Sequence, residues 1–416
     1  MLRGLVRTVG ALIVLAAAGL VGWRVLAPAE VLASVTTPLP APTPAAPGVT
    51  GRTNVAPLIV DGQIRVYAGK RQIRADGPVS AKTVYTPVWS FRRWPQQLSG
   101  VVAAGPTVIS QWSDGDVVAI DGHTGKITWR ISGSSAVDRY FGHRTGAATV
   151  WGPTSPHGPA PSASPPSTAS PTPMASPHSA GSPVSGMRVG TDVVAVPFPG
   201  QIRIFDVKTG ALRWSGPCVD GFTSAGGQYF CGSSGFDLAD GTNLANRPGA
   251  STPIGPYQSV GCEVSQSRCA GLRDRDGHGW LVDGPRPRRA VALDRPGSTT
   301  AGGAVFYPDE VGYRAATPDN RPLGDYPGVS DVLGATDGRV LLLTTDRRLL
   351  AVDPRTGATG DGFPLAYKTE ELTWTPGRWQ VSDGYVAIER LTTDGPADPD
   401  TPGHYFSVET VIIAAV

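Results

Sequence analysis

Beyond residue 50 the chain alternates short apolar runs with turn residues at nearly regular intervals. The stretches GVVAAGPTVISQWSDGDVVAIDG (100–122) and GRVLLLTTDRRLLAVDPRTG (338–357) show the pattern, with strand-length apolar runs broken by Asp-Gly and Thr-Asp. Runs of this length bounded by Gly, Pro and Asp read as strands joined by tight turns. After Ala33 no stretch longer than about twelve residues keeps a helical period, so the fold class predicted is all-β.

The runs repeat. VVAIDGHTGKITW (117–129) and IRIFDVKTGALRW (202–214) superimpose without a gap, matching Asp121 to Asp206, Thr124 to Thr209, Gly125 to Gly210 and Trp129 to Trp214. LLAVDPRTGATG supplies Asp353, Thr356 and Gly357 without the Trp; FDLADGTNL supplies Asp237 and Gly241, with Asp240 in the Thr position. The chemistry is that of a turn: the Asp accepts backbone N–H bonds, Gly takes a positive φ, and the Trp heads the next strand as an apolar wedge with one donor. Trp89 precedes Trp129 by 40 residues, and Asp237 precedes Asp353 by 116, close to three units of 39. Degenerate turns fall near the expected points at DRDGHG (274–279) and TPDN (317–320). The repeating part therefore holds about eight units of about 40 residues, the signature of a β-propeller with four-stranded blades.

Ala119, Asp121, Gly125, Lys126 and Trp129 match the tryptophan-docking pattern of the quinoprotein-like (pyrroloquinoline quinone, PQQ-like) repeat, and the sequence resembles that family. The match is full in two units, partial in two and weak elsewhere, while the period extends it over 51–416. The resemblance implies an eight-bladed propeller, with seven as the alternative count, in which each Trp locks its blade to the next. The short exported architecture resembles the β-propeller subunit of the outer-membrane assembly machinery, the BamB-like branch. Pairing of the last strand, 405–416, with N-terminal strands is expected to close the ring and remove the free edges.

The N-terminus reads MLRGLVRTVGALIVLAAAGLVGWRVLAPAE, with Arg3 and Arg7 ahead of an uncharged, mostly apolar run over 8–23 and Arg24 after it. One reading is a signal peptide cleaved after Ala33, with Val31 and Ala33 as the small residues. The favoured reading is a retained single-pass anchor over 1–33, an N-terminal transmembrane helix with Arg24 at the far headgroups. Either way the basic end stays in the cytoplasm and the rest is exported. The expected location is the cell membrane with the propeller outside the cytoplasm; a secreted protein is the alternative. A Pro-rich spacer follows over 34–50. A second biased tract, 152–186, holds ten prolines and no charged residue, and reads as a disordered insertion in the propeller, open to O-glycosylation as a stalk-like segment.

The cysteines fit export. Cys218 and Cys231 lie 13 apart and Cys262 and Cys269 lie 7 apart, so sequence-local disulfides would each staple a hairpin. Free buried thiols or a metal site are the alternatives, and the spacing is not that of a zinc site.

Composition adds exclusions. The 53 Gly and 40 Pro with only 17% charged residues suit many turns, and a formal charge of +2 without a basic run offers nothing to nucleic acid. Quinoprotein dehydrogenases resemble this chain in their repeats but carry an adjacent Cys-Cys pair and longer insertions, both missing here. No catalytic residue, cofactor or metal ligand is assigned. The six His have no ligand-like spacing, the Asp-Gly pairs do not complete a calcium loop, and no nucleophile elbow or phosphate loop is present. Two surface features remain, GPRPRRA with Arg286, Arg288 and Arg289, and TWTPGRW with Trp374 and Trp379, each also readable as ordinary loop or packing. The function expected is a monomeric, non-enzymatic scaffold that binds other envelope proteins. A small-ligand sensor using the propeller channel and a degenerate quinone-dependent dehydrogenase are the alternatives.

Overall fold

The computed structural model of the protein describes residues 10, 13–20, 22, 29–35, 45–53, 56–79, 86–133, 186–218, 221–246, 253–263, 268–366, 374–391 and 408–416. The tract 152–186, except Gly186, and most of the segments 1–33 and 34–50 lie outside the described residues.

Strands β1 (Ala29–Ser34) and β2 (Gly48–Thr53) join sheets formed later in the chain. The first sheet orders β3 (Leu58–Val60), β4 (Ile64–Gly69), β5 (Gln72–Asp76) and β6 (Pro87–Trp94), with β1 antiparallel on the outer edge of β6. The second contains β7 (Leu98–Ala104), β8 (Thr107–Trp112), β9 (Val117–Asp121) and β10 (Ile127–Ile131). The third contains β11 (Arg188–Val189), β12 (Val193–Phe198), β13 (Gln201–Asp206) and β14 (Leu212–Gly216).

The next sheet has seven strands in two antiparallel sets. One is β15 (Phe222–Ser224), β16 (Gln228–Cys231) and β17 (Ser234–Asp237); the other is β18 (Gln258–Glu263), β19 (Arg268–Arg273), β20 (Gly279–Leu281) and β21 (Arg288–Arg289). Parallel pairing of β15 with β19 joins them. Two further four-stranded sheets are β22 (Thr299–Ala301), β23 (Ala304–Pro308), β24 (Gly312–Ala316), β25 (Pro322–Pro327) and β26 (Val329–Thr336), β27 (Arg339–Thr344), β28 (Arg348–Val352), β29 (Phe363–Pro364). The last sheet orders β2, β32 (Val408–Ala415), β31 (Tyr385–Leu391) and β30 (Thr375–Ser382). The fold is all-β.

First strands touch in succession: β3 with β7, β7 with β11, β11 with β15, β18 with β22, β22 with β26, β26 with β30, and β30 with β3. The sheets thus stand in a circle, as in a β-propeller. The closing sheet draws on both ends of the chain, because β2 pairs with β32 from Gly48 opposite Ala415 to Thr53 opposite Val411. Gln380 on β30 adds a reciprocal bridge to the first sheet. Its side chain accepts from the Ile59 N–H at 3.0 Å and donates to the Ile59 carbonyl at 3.2 Å.

Where a middle strand is covered on both faces it is apolar throughout rather than alternating, as in β9 and β27. Val117, Val118, Ala119 and Ile120 of β9 are all buried, as are Val340 to Leu343 of β27. One core cluster runs across three sheets, with Ile64, Trp89 and Phe91 beside Trp112, Ala387 and Ile413. Among the described residues no helix is long and apolar enough to cross a membrane; residues 13–20 are helical. Ala29–Ser34, which overlaps the end of the 1–33 segment, is a strand.

Candidate functional site

Four turns carry the Asp and Gly of the repeat, and the local chemistry is the same in each. Asp121 Oδ1 accepts from the Thr124 N–H and the Thr124 hydroxyl, both at 2.8 Å, while the Gly125 N–H donates to the Asp121 carbonyl at 2.8 Å. Asp206 Oδ1 accepts from the Lys208 N–H at 3.0 Å and from the Thr209 N–H and hydroxyl at 2.9 Å. Asp237 and Asp353 accept from the N–H groups of Ala239 and Arg355, each at 2.8 Å. Gly125, Gly210, Gly241 and Gly357 have φ of 71°, 69°, 75° and 73°, a conformation that favours glycine.

The glycines do a second job. A Cβ on Gly125 would stand 2.6 Å from Cβ of Trp89, one on Gly210 2.8 Å from the Trp129 ring, and one on Gly241 2.9 Å from the Trp214 ring. Each Trp belongs to the last strand of the preceding sheet, so every contact crosses from one sheet to the next. The indole N–H groups complete the joint: Trp89 donates to the Gly122 carbonyl and Trp129 to the Val207 carbonyl, both at 2.6 Å, and Trp214 to the Leu238 carbonyl at 2.9 Å. At Gly357 the arrangement differs: a Cβ there would meet the Leu323 carbonyl at 2.2 Å, and the Tyr326 hydroxyl donates to the Gly357 carbonyl at 3.0 Å. Tyr326, on the last strand of the preceding sheet, could not be found from the repeat because no Trp pattern surrounds it.

Two of these carboxylates, Asp206 and Asp353, are stabilised in the ionised form by their donors. The Arg213 guanidinium, 2.5 Å from Asp206, together with the Thr209 and Lys208 backbone N–H groups, lowers the Asp206 pKa to about 2. Backbone N–H bonds from Arg355 and Thr356 lower that of Asp353.

The TPDN turn lies between β24 and β25, the last hairpin of its sheet, as the repeat requires. DRDGHG lies one hairpin early, between β19 and β20. There Asp274 accepts from the His278 N–H at 2.9 Å and from the Trp280 indole at 2.9 Å, so an Asp-rich turn forms without a docking role. The sulfurs of Cys218 and Cys231, and of Cys262 and Cys269, stand at disulfide distance. Cys262 lies directly opposite Cys269 in the β18–β19 ladder.

The remaining candidates are absorbed by packing. Trp374 is 3% exposed and the Trp379 indole donates to the Leu333 carbonyl at 2.8 Å, so these rings form no exposed knob. Arg288 and Arg289 pair locally with Asp283 at 3.1 Å and Asp294 at 2.5 Å. His123 faces Asp61 at 3.3 Å and His278 faces Asp274 at 3.7 Å. Among the described residues no group of three or more His, Cys, Asp and Glu could hold a metal ion. A cleft of about 300 Å³ opens between the last two sheets, lined by Thr336, Asp337, Arg339, Phe363 and Val416.

A family model described as outer membrane protein assembly factor BamB matches residues 3–153. No curated protein matches the chain. The crystal structure of BamB from Moraxella catarrhalis is similar at 14% identity and a TM-score of 0.38, covering 93% of this chain and 98% of that one. The computationally designed Ika8 protein is similar at 11% identity and a TM-score of 0.42, covering 91% of this chain and 99% of that one. The C-terminal WD40 domain of Sif2 gives 10% identity and 0.39, covering 93% and 98%. Over residues 3–153, which hold Trp89, Asp121, Gly125 and Trp129, the chain resembles the PQQ-like propellers of the BamB family.

Proposed function

We propose that this chain is a non-catalytic scaffold for protein–protein interaction in the cell envelope, an eight-bladed propeller held outside the cytoplasm by one N-terminal membrane segment. The count of eight takes β15–β17 and β18–β21 as separate blades sharing one edge. The observation that carries the reading is the relay of Trp89, Trp129 and Trp214 onto Gly125, Gly210 and Gly241. It commits the repeat's distinctive residues to blade docking and leaves the loops at the rim for partners. The matched family is described as an assembly factor, which supports a partner among envelope proteins. The tether is supported by Arg3 and Arg7 ahead of the apolar run. The protein acts as a monomer without a cofactor.

Capture of the full tagged chain from native membranes after brief cross-linking tests the proposal. A specific envelope protein in near-stoichiometric yield is expected, with no absorbance from a bound quinone. Recovery of the chain alone, or of a chain carrying a chromophore, would contradict it.

A further inference from the structure

The strand β1 is the least expected element of the fold, and its surroundings point to a ligand. It pairs antiparallel with β6 from Ala29 opposite Trp94 to Ser34 opposite Trp89. Its outer edge pairs with no strand among the described residues. Val31, Leu32 and Val35 are 57%, 40% and 47% exposed. An edge strand with bare apolar side chains is a liability unless something covers it.

The chain itself limits what that can be. Only residues 25–28 separate Arg24, at the end of the apolar run, from Ala29. Fully extended, that stretch reaches no more than about 18 Å. The end of β1 that lies nearest the membrane segment is the end paired with Trp94.

That same end is cationic and aromatic. The β4–β5 hairpin places Lys70 and Arg71 beside Trp94, with the Arg71 guanidinium 4.2 Å from the Trp94 ring centroid. The hairpin is sewn to β6 and its continuation: the Arg93 N–H donates to the Arg71 carbonyl at 3.1 Å, the Leu98 N–H to the Lys70 carbonyl at 2.9 Å, and Arg71 Nε to the Pro95 carbonyl at 3.3 Å. Arg92, exposed, stands opposite Val31, and register puts both on the face that carries Ala29 and Trp94. Segments 69–72 and 89–97 contain no acidic residue. The neighbouring carboxylates are engaged elsewhere: Glu30 with Arg93 at 3.3 Å and Arg130 at 2.5 Å, and Asp114 and Asp116 with Arg93 at 3.1 and 2.8 Å.

We infer that Lys70, Arg71, Arg92, Trp94 and the exposed apolar side chains of β1 form a lip that rests on the anionic surface of the lipid bilayer. The inference rests on the membrane tether proposed above. Cations near the anionic surface gain electrostatic attraction, and Trp with short apolar side chains favours the interfacial region. The propeller is then docked edge-down on its membrane by the first sheet, with the opposite sheets facing partners.

The test uses the full chain in lipid nanodiscs of phosphatidylcholine alone or mixed with phosphatidylglycerol. Hydrogen exchange is followed in the peptide covering 69–72. Exchange several-fold slower in the anionic discs is expected, with the protection lost in K70E/R92E, whose two substituted side chains are exposed. Equal exchange in the two discs overturns the lip while leaving the tether intact. Failure of the chain to enter either disc removes the tether and the lip with it. Protection accompanied by two chains per disc assigns the β1 edge to a second copy and likewise overturns the inference.

Discussion

At the scale of single residues, the joint between sheets is a flat indole on a bare glycine. Trp89 is 2% exposed and Trp129 8%, and each also satisfies one carbonyl of the neighbouring turn. Replacing either with Ala should cost roughly 3–5 kcal/mol, as for other large core truncations. Trp214, only half-buried, should cost less. Chemical denaturation with less than about 1 kcal/mol lost in both Trp89→Ala and Trp129→Ala would deny the joint. Gly125→Ala attacks the same contact from the other side, adding a Cβ 2.6 Å from Trp89 at a φ of 71°. It should destabilise more than Gly105→Ala, where φ is also positive but nothing lies within 4 Å. A second expectation concerns pH. Asp206 titrates at about 2 when folded, below its ordinary 3.8. Its contribution is therefore present above pH 4 and lost as pH falls through about 2. Acid titration of Asp206→Asn should show a shallower loss of stability across that window; an unchanged profile would mean the Arg213 and backbone donors do not hold the carboxylate.

At the scale of elements, the legible features were those with local causes. The Asp-to-Gly turn could be read from spacing because the bonds that make it lie within four residues. Strands such as β9 and β27 could be read from apolar runs because both of their faces are buried. Less legible were contacts made across the ring. Tyr326 reaches Gly357 from 31 residues away with nothing in the turn to announce it. DRDGHG matched the period yet forms the wrong hairpin, since an Asx-turn alone does not distinguish one hairpin from the next. AEVLAS falls at the end of the 1–33 segment in the sequence, and pairing with β6, not its own pattern, makes it a strand.

The tract 152–186 lies between the outer strand β10 and the inner strand β11, and Met174 and Val184 are its only large apolar residues apart from proline. Replacing it by a short Gly-Ser linker should leave the melting transition cooperative, since loop length costs little entropy; loss of that transition would make the tract structural. Reducing the two cysteine pairs, which close loops of 13 and 7 residues, should cost roughly 2–3 kcal/mol each without unfolding the domain at room temperature. Non-reducing peptide maps recovering all four thiols free from the native host would contradict both the pairing and export.

At the scale of the whole molecule, the ring and the membrane make one account. The circle closes through β2 and β32, so the chain's two ends meet in one sheet, and β1 leaves the adjoining sheet toward the N-terminal apolar segment. The proposed role in the envelope requires export, and exposed lysines report on it. Lys126 and Lys208 lie on the surface, in two docking turns. A membrane-impermeant amine reagent applied to intact spheroplasts of the native host should label these two lysines as fully as in lysed cells. Labelling that appears only after lysis would place the propeller in the cytoplasm and contradict the account.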